Sequence, residues 1–254
     1  MNHDYFWKQQ YDLPAGAGYP LWGKTHFISI FVVAVCICLI LYLIRHMSEA
    51  HQQLSIRVIP LLMVALETWK DLFLVSVHRF SLGYLPLHLC SIGIFVFLAH
   101  AFARTPKWQE IWGEIAFCLI MPGAMVALFD PDWATIYPVW NFMNLYSYVW
   151  HGLLVLYPAL LKLRDDIHPT IRHLHWDLLF LCGVIPPIFV FDKVFKCNYF
   201  FINWPIPSSP LSWLASFMGV PGYLFGYAIL VFIMICIVYI CIWIASLFLR
   251  LFRR

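Results

Sequence analysis

Charge is scarce in this chain. Asp, Glu, Lys and Arg make up 11% of its 254 residues, against 63% hydrophobic. That shortage excludes an ordinary soluble domain, which cannot bury so much apolar surface at this mass. A net charge of +3 is too small to mark a nucleic-acid binder, and none is expected as a partner. None of the 8 cysteines forms a Cys-x-x-Cys pair, so neither a zinc site nor a disulfide framework is indicated. There is no His-Glu-x-x-His, no glycine-rich phosphate loop and no glycoside-hydrolase carboxylate arrangement, so neither metal nor cofactor is expected. The first residues lack a basic stretch before a short apolar core, which argues against a cleaved signal peptide. A polytopic membrane protein remains.

Apolar runs of membrane-spanning length recur along the chain. The pattern predicts an all-α bundle of seven spans, at about 26–43, 57–76, 84–101, 111–129, 138–161, 175–195 and 221–248. No internal repeat or linker is evident, so residues 1–254 read as a single transmembrane domain. Residues 1–24 read as a short amphipathic lead broken by Pro14, Gly16, Gly18 and Pro20, and residues 196–219 as a turn-rich connection. Lysine and arginine set the orientation. Ten fall on the side of Arg45, Arg104 and the C-terminal tail and five on the side of Lys24 and Arg79, with Lys70 inside a span. The positive-inside rule then places the N-terminus outside and the C-terminus in the cytoplasm.

Polar residues within the spans are the functional candidates. Leu85-Pro86-Leu87-His88-Leu89-Cys90-Ser91 opens the third span with an imidazole, a thiol and a hydroxyl. Glu67, Lys70 and Asp71 share one face of the second, where they can satisfy one another or line a cavity. In the fifth, Asn141, Asn144, Tyr148 and His151 recur at spacings of three, four and three, a polar stripe that must face the bundle. With the orientation above, these groups converge on a cavity in the outer half. A Cys/His pair there supports nucleophilic catalysis, since imidazole takes the thiol proton and the thiolate attacks an ester or thioester. Cys90 is the candidate nucleophile and His151 its base. His88 lies about 200° from Cys90 on an ideal helix, so it is expected to bind a headgroup or donate to an oxyanion. Asn144, Tyr148, Glu67, Lys70 and Asp71 are expected to orient these groups or bind substrate. The 12 tryptophans and 13 tyrosines supply interfacial anchors, and their density suits a lipid-binding mouth.

Leu-Pro-Leu-His-Leu-Cys before the third span, the asparagine–tyrosine–histidine spacing ending at His151, and Cys197-Asn198-Tyr199 with Gly219-x-Pro221-x-Tyr223 carry a resemblance. Together they resemble the YwaF family of bacterial integral membrane proteins, related to animal transmembrane acyltransferases that remodel ether phospholipids. The resemblance implies a seven-helix bundle in a bacterial plasma membrane. From the animal relatives it implies a cysteine acyl-enzyme moving a fatty acyl chain between phospholipids. Cys90 matches the nucleophile, His151 its partner, and Asn198 and Tyr199 the loop motif. The expected partners are an acyl lipid and the bilayer, with the oligomeric state left open. Two other readings stay open: a transporter or receptor-like protein binding a small polar or lipid ligand, and a lipid hydrolase using the same Cys/His pair.

Overall fold

The structure, a computed structural model, describes residues 5–207 and 209–252, and the regular elements among them are helical. They are α1 (Lys24–Arg45), α2 (Glu49–Ser76), α3 (Leu89–Ala101), α4 (Pro106–Ile115), α5 (Met121–Phe129), α6 (Asp132–Ile136), α7 (Phe142–Leu163), α8 (Leu174–Phe195), α9 (Pro210–Met218) and α10 (Tyr223–Phe252). A π-helical segment, Ala116–Ile120, joins α4 to α5. Pro122 explains it: proline lacks the amide donor, and its ring collides with the carbonyl four residues back, so the widened turn absorbs the misfit.

Four segments among the described residues are long and apolar enough to cross a membrane: Lys24–Arg45, Pro106–Ile136, Ile171–Phe195 and Tyr223–Phe248. Side chains such as Phe31 on α1 and Phe225 on α10, 67% and 68% exposed, present apolar surface that only hydrocarbon solvates well. The other three expected spans differ from the sequence reading in physical detail. Helix α2 begins at Glu49, so the polar connection before Arg57 is helical, and its second half carries Glu67, Lys70 and Asp71. The expected span at 84–101 is helical only from Leu89, 13 residues or about 20 Å, shorter than the roughly 30 Å hydrocarbon core. Pro86 accounts for the late start, because the residue before a proline avoids the helical region and Leu85 is extended. Helix α7 begins at Phe142 rather than Pro138, with Asn141 as its cap. The connection after α8 holds a helix of its own, α9, opened by a capping box between Ser209 and Ser212.

The chain divides into two compact units, Met1–Phe80 with Ile92–Ile167, and Ser81–Ser91 with His168–Arg254. In the first, α7 is central and packs against α1, α2 and α5. Helix α3 from Ile92 onward approaches it closely. A Cβ on Gly93 would stand 2.6 Å from Leu154 and 3.0 Å from Ile120. In the second unit, α10 packs against α8 and α9.

Candidate functional site

The polar stripe of α7 is built from its N-terminus inward, and the lead peptide occupies most of it. Asn141 caps the helix through Oδ1, which accepts from Met143 N at 2.9 Å, while Nδ2 donates to the carbonyls of Tyr5 and Lys8 at 2.7 and 2.8 Å. Phe142 N donates to Phe6 O at 2.8 Å. Deeper in, the Tyr19 hydroxyl lies 3.1 Å from Asn144 Oδ1 and 3.0 Å from the Tyr148 hydroxyl. The amide oxygen can only accept, so Tyr19 donates to Asn144 and receives the Tyr148 proton. Asn144 Nδ2 is held by Val139 O at 2.9 Å. The N-terminal part of the stripe is thus satisfied largely by residues 5–19, where the spacing had suggested an open cavity.

His151 is the exception. Its Nδ1 lies 2.7 Å from Ser147 O. A carbonyl oxygen accepts only, so Nδ1 carries the proton, and in the neutral ring Nε2 keeps the lone pair. No described residue bonds Nε2. The ring stacks on Trp133 of α6, with centroids 4.7 Å apart and 11° between planes. The Trp133 indole also meets Tyr148 edge to face at 5.7 Å, and its Nε1 is buried without a hydrogen-bond partner.

The acidic and basic residues of α2 form a buried ion cluster in the same unit. Lys70 Nζ lies 2.7 Å from Glu67 Oε1 and 3.1 Å from Asp71 Oδ1. Tyr146 of α7 donates to Glu67 Oε2 at 2.5 Å. The trio therefore ties α2 to α7, the structural alternative the spacing had left open. Tyr146 was missed from sequence, where one tyrosine among several carries no signal of its partner.

Cys90 and His88 lie in the second unit. Cys90 stands half-buried in the first turn of α3. His88 precedes that helix, which corrects the 200° angle inferred for the pair: no helical rotation relates them. Its ring meets Tyr199 edge to face at 4.8 Å and Phe201 at 5.6 Å. Asn198 organises the loop after α8, with Oδ1 accepting from Asn203 N and Trp204 N, both at 3.0 Å. The Tyr199 hydroxyl donates to Leu82 O, and the Tyr223 hydroxyl to Phe201 O at 2.8 Å. The motif residues 197–199 and 219–223 thus share one loop assembly. Burial, then the nearby Asp192 charge, pushes the Cys197 thiol up, away from reactivity. Sequence reasoning also passed over Asp192, buried near the end of α8 beside the Tyr199 backbone.

Among the described residues no cluster of three His, Cys, Asp or Glu side chains is arranged to hold a metal ion. The chemistry on offer is an imidazole with one open basic nitrogen and a half-buried thiol at a helix N-terminus.

No curated protein and no solved structure matches the chain. A family model does, over residues 21–239, which include Cys90, His151 and the other predicted site residues but not the partners in residues 5–19. The match does not establish the bacterial YwaF assignment expected from the sequence. With its apolar helices, this chain is a multi-pass membrane protein, and it belongs to the TMEM164 family.

Proposed function

We propose that this protein moves a fatty acyl group between phospholipids through a cysteine acyl-enzyme, with Cys90 as nucleophile and His151 as base. The observation that carries the reading is His151 itself. Its stripe neighbours Asn144 and Tyr148 are committed to the lead, while its proton is fixed on Nδ1 and its Nε2 is open. Family membership is consistent with a membrane acyltransferase. Cys90 adds a second support, because it sits in the first turn of α3, where the helix dipole favours an anion.

The transfer runs in two halves. Nε2 of His151 takes the Cys90 proton, and the sulfur attacks the ester carbonyl carbon. The tetrahedral adduct collapses, the C–O bond breaks, and the leaving lysolipid oxygen takes the proton back from the imidazolium. An acyl thioester remains. The hydroxyl of a second lysolipid then attacks the thioester as His151 accepts its proton, and the Cys90 thiolate leaves and is reprotonated. Each half conserves protons and needs no oxidant or metal. His88, Asn198 and Tyr199 serve substrate binding. The ion cluster of Glu67, Lys70 and Asp71, with Asn144 and Tyr148, holds the helix that carries the base. The proposal includes seven passes, an external N-terminus and a cytoplasmic C-terminus.

The test is acyl transfer from a radiolabelled diacyl phospholipid to a lysophospholipid by purified, reconstituted protein. Cys90→Ser is expected to abolish transfer without unfolding the bundle. Full transfer by Cys90→Ser contradicts the mechanism. Lipid binding without transfer by the unaltered protein favours a carrier or receptor, and release of free fatty acid alone favours a hydrolase.

A further inference from the structure

Trp133 presents an unusual combination in the first unit. Its indole N–H is buried and has no hydrogen-bond partner, a state that costs free energy unless some group fills it. Its ring lies flat on His151, 4.7 Å away and 11° from parallel. The indole N–H lies in its own ring plane, and so does the imidazole Nε2 lone pair. On stacked parallel rings an in-plane donor and an in-plane acceptor cannot bond each other. Neither atom is therefore satisfied by the other.

The position is braced on purpose-built backbone contacts. Tyr19 N donates to Ala134 O at 2.8 Å, and Ala134 is fully buried. Gly18 passes so close to α6 that a Cβ there would stand 2.3 Å from the Thr135 carbonyl. The lead therefore fixes α6, and α6 fixes the indole over the imidazole.

We infer that the Trp133 N–H receives the carbonyl oxygen of a fatty acyl ester beside His151. This inference rests on the acyltransferase reading for its mechanistic meaning. The chemistry of the two open atoms selects the ligand class. Nε2 wants a proton donor, such as a thiol or hydroxyl. Indole nitrogen can donate and cannot accept, so it wants an acceptor oxygen and cannot compete for the proton that His151 takes. A reacting ester supplies that oxygen, and its charge grows as the tetrahedral adduct forms, where a fixed donor is most effective.

The experiment uses full-length protein labelled with ¹⁵N at tryptophan and carrying Cys90→Ser, so that no turnover occurs. It is placed in nanodiscs of diester phosphatidylcholine or of the dialkyl ether analogue, which lacks both carbonyls. The Trp133 indole resonance is identified by its loss in Trp133→Phe. It is expected downfield in diester nanodiscs relative to diether nanodiscs. The same position in both overturns the inference. In protein with Cys90 intact, Trp133→Phe keeps a ring to stack and loses the donor, so acyl transfer should slow about 10²–10³-fold with little change in KM. An undiminished rate in that variant also overturns it. A diester-dependent shift in protein whose Cys90 never becomes acylated upholds the ester site and sinks the acyltransferase reading instead.

Discussion

At the scale of single residues, histidine in an apolar bundle becomes a usable base only when one nitrogen is fixed as donor and the other left open. Ser147 O does the first for His151, and the absence of any described partner at Nε2 does the second. His151→Ala is therefore expected to slow acyl transfer by about 10²–10⁴-fold in single-turnover assays. The α2 ion cluster yields a prediction of another kind. Lys70 sits between two carboxylates and is almost wholly buried. Lys70→Met leaves both carboxylates uncompensated and should destabilise the protein by about 3–5 kcal/mol in thermal or denaturant unfolding in detergent. Glu67→Gln should cost less, since the amide oxygen still accepts from Tyr146 and Asp71 still faces Lys70. Equal losses for the two variants would contradict this account of the cluster. The trio was legible in the sequence because positions three and four apart share a helical face. Tyr146 and Trp133 were not, because their roles come from tertiary contacts between elements far apart in the chain.

At the scale of elements, the lead behaves as a structural strap. Trp7 packs on Phe73 and Phe142, with ring centroids 5.7 and 5.3 Å away. Asp12 meets Arg79 at 2.5 Å. Tyr19→Phe removes the donor to Asn144 and the acceptor for Tyr148, and should raise amide exchange throughout residues 5–22 while leaving α10 unaffected. The ion pair adds a pH dependence of known sign. The Arg79 hydrogen bond holds the Asp12 carboxyl below its ordinary 3.8. Its stabilising contribution is thus present above the unfolded value and disappears as pH falls through the folded one. Exchange protection of the lead should weaken on acidification below about pH 4, and Asp12→Asn should remove that component. Protection that is insensitive to both changes would detach the ion pair from the strap. Helices α1 and α10 were readable as long apolar runs. The late start of α3 is visible in Pro86 once the restriction on the residue before proline is applied. The strap was obscured because its prolines and glycines read as mere helix breakers, whereas Gly18 serves a close approach to α6.

At the scale of the whole molecule, the distribution of basic residues predicts which loops face which side. A thiol reagent that cannot cross membranes should label a cysteine introduced at Ser81 and spare one introduced at Thr105. The reverse pattern would invert the topology and move the chemistry to the cytoplasmic leaflet. Neither outcome bears on whether an acyl-enzyme forms, and that is the central claim. Its most direct measurement is peptide mass spectrometry of the purified protein after incubation with a diacyl phospholipid. The account predicts one acyl group on the peptide containing Cys90, removed by neutral hydroxylamine, absent in Cys90→Ser and slow to form in His151→Ala. A Cys90 peptide that stays unmodified while labelled acyl chains pass between lipids would contradict it.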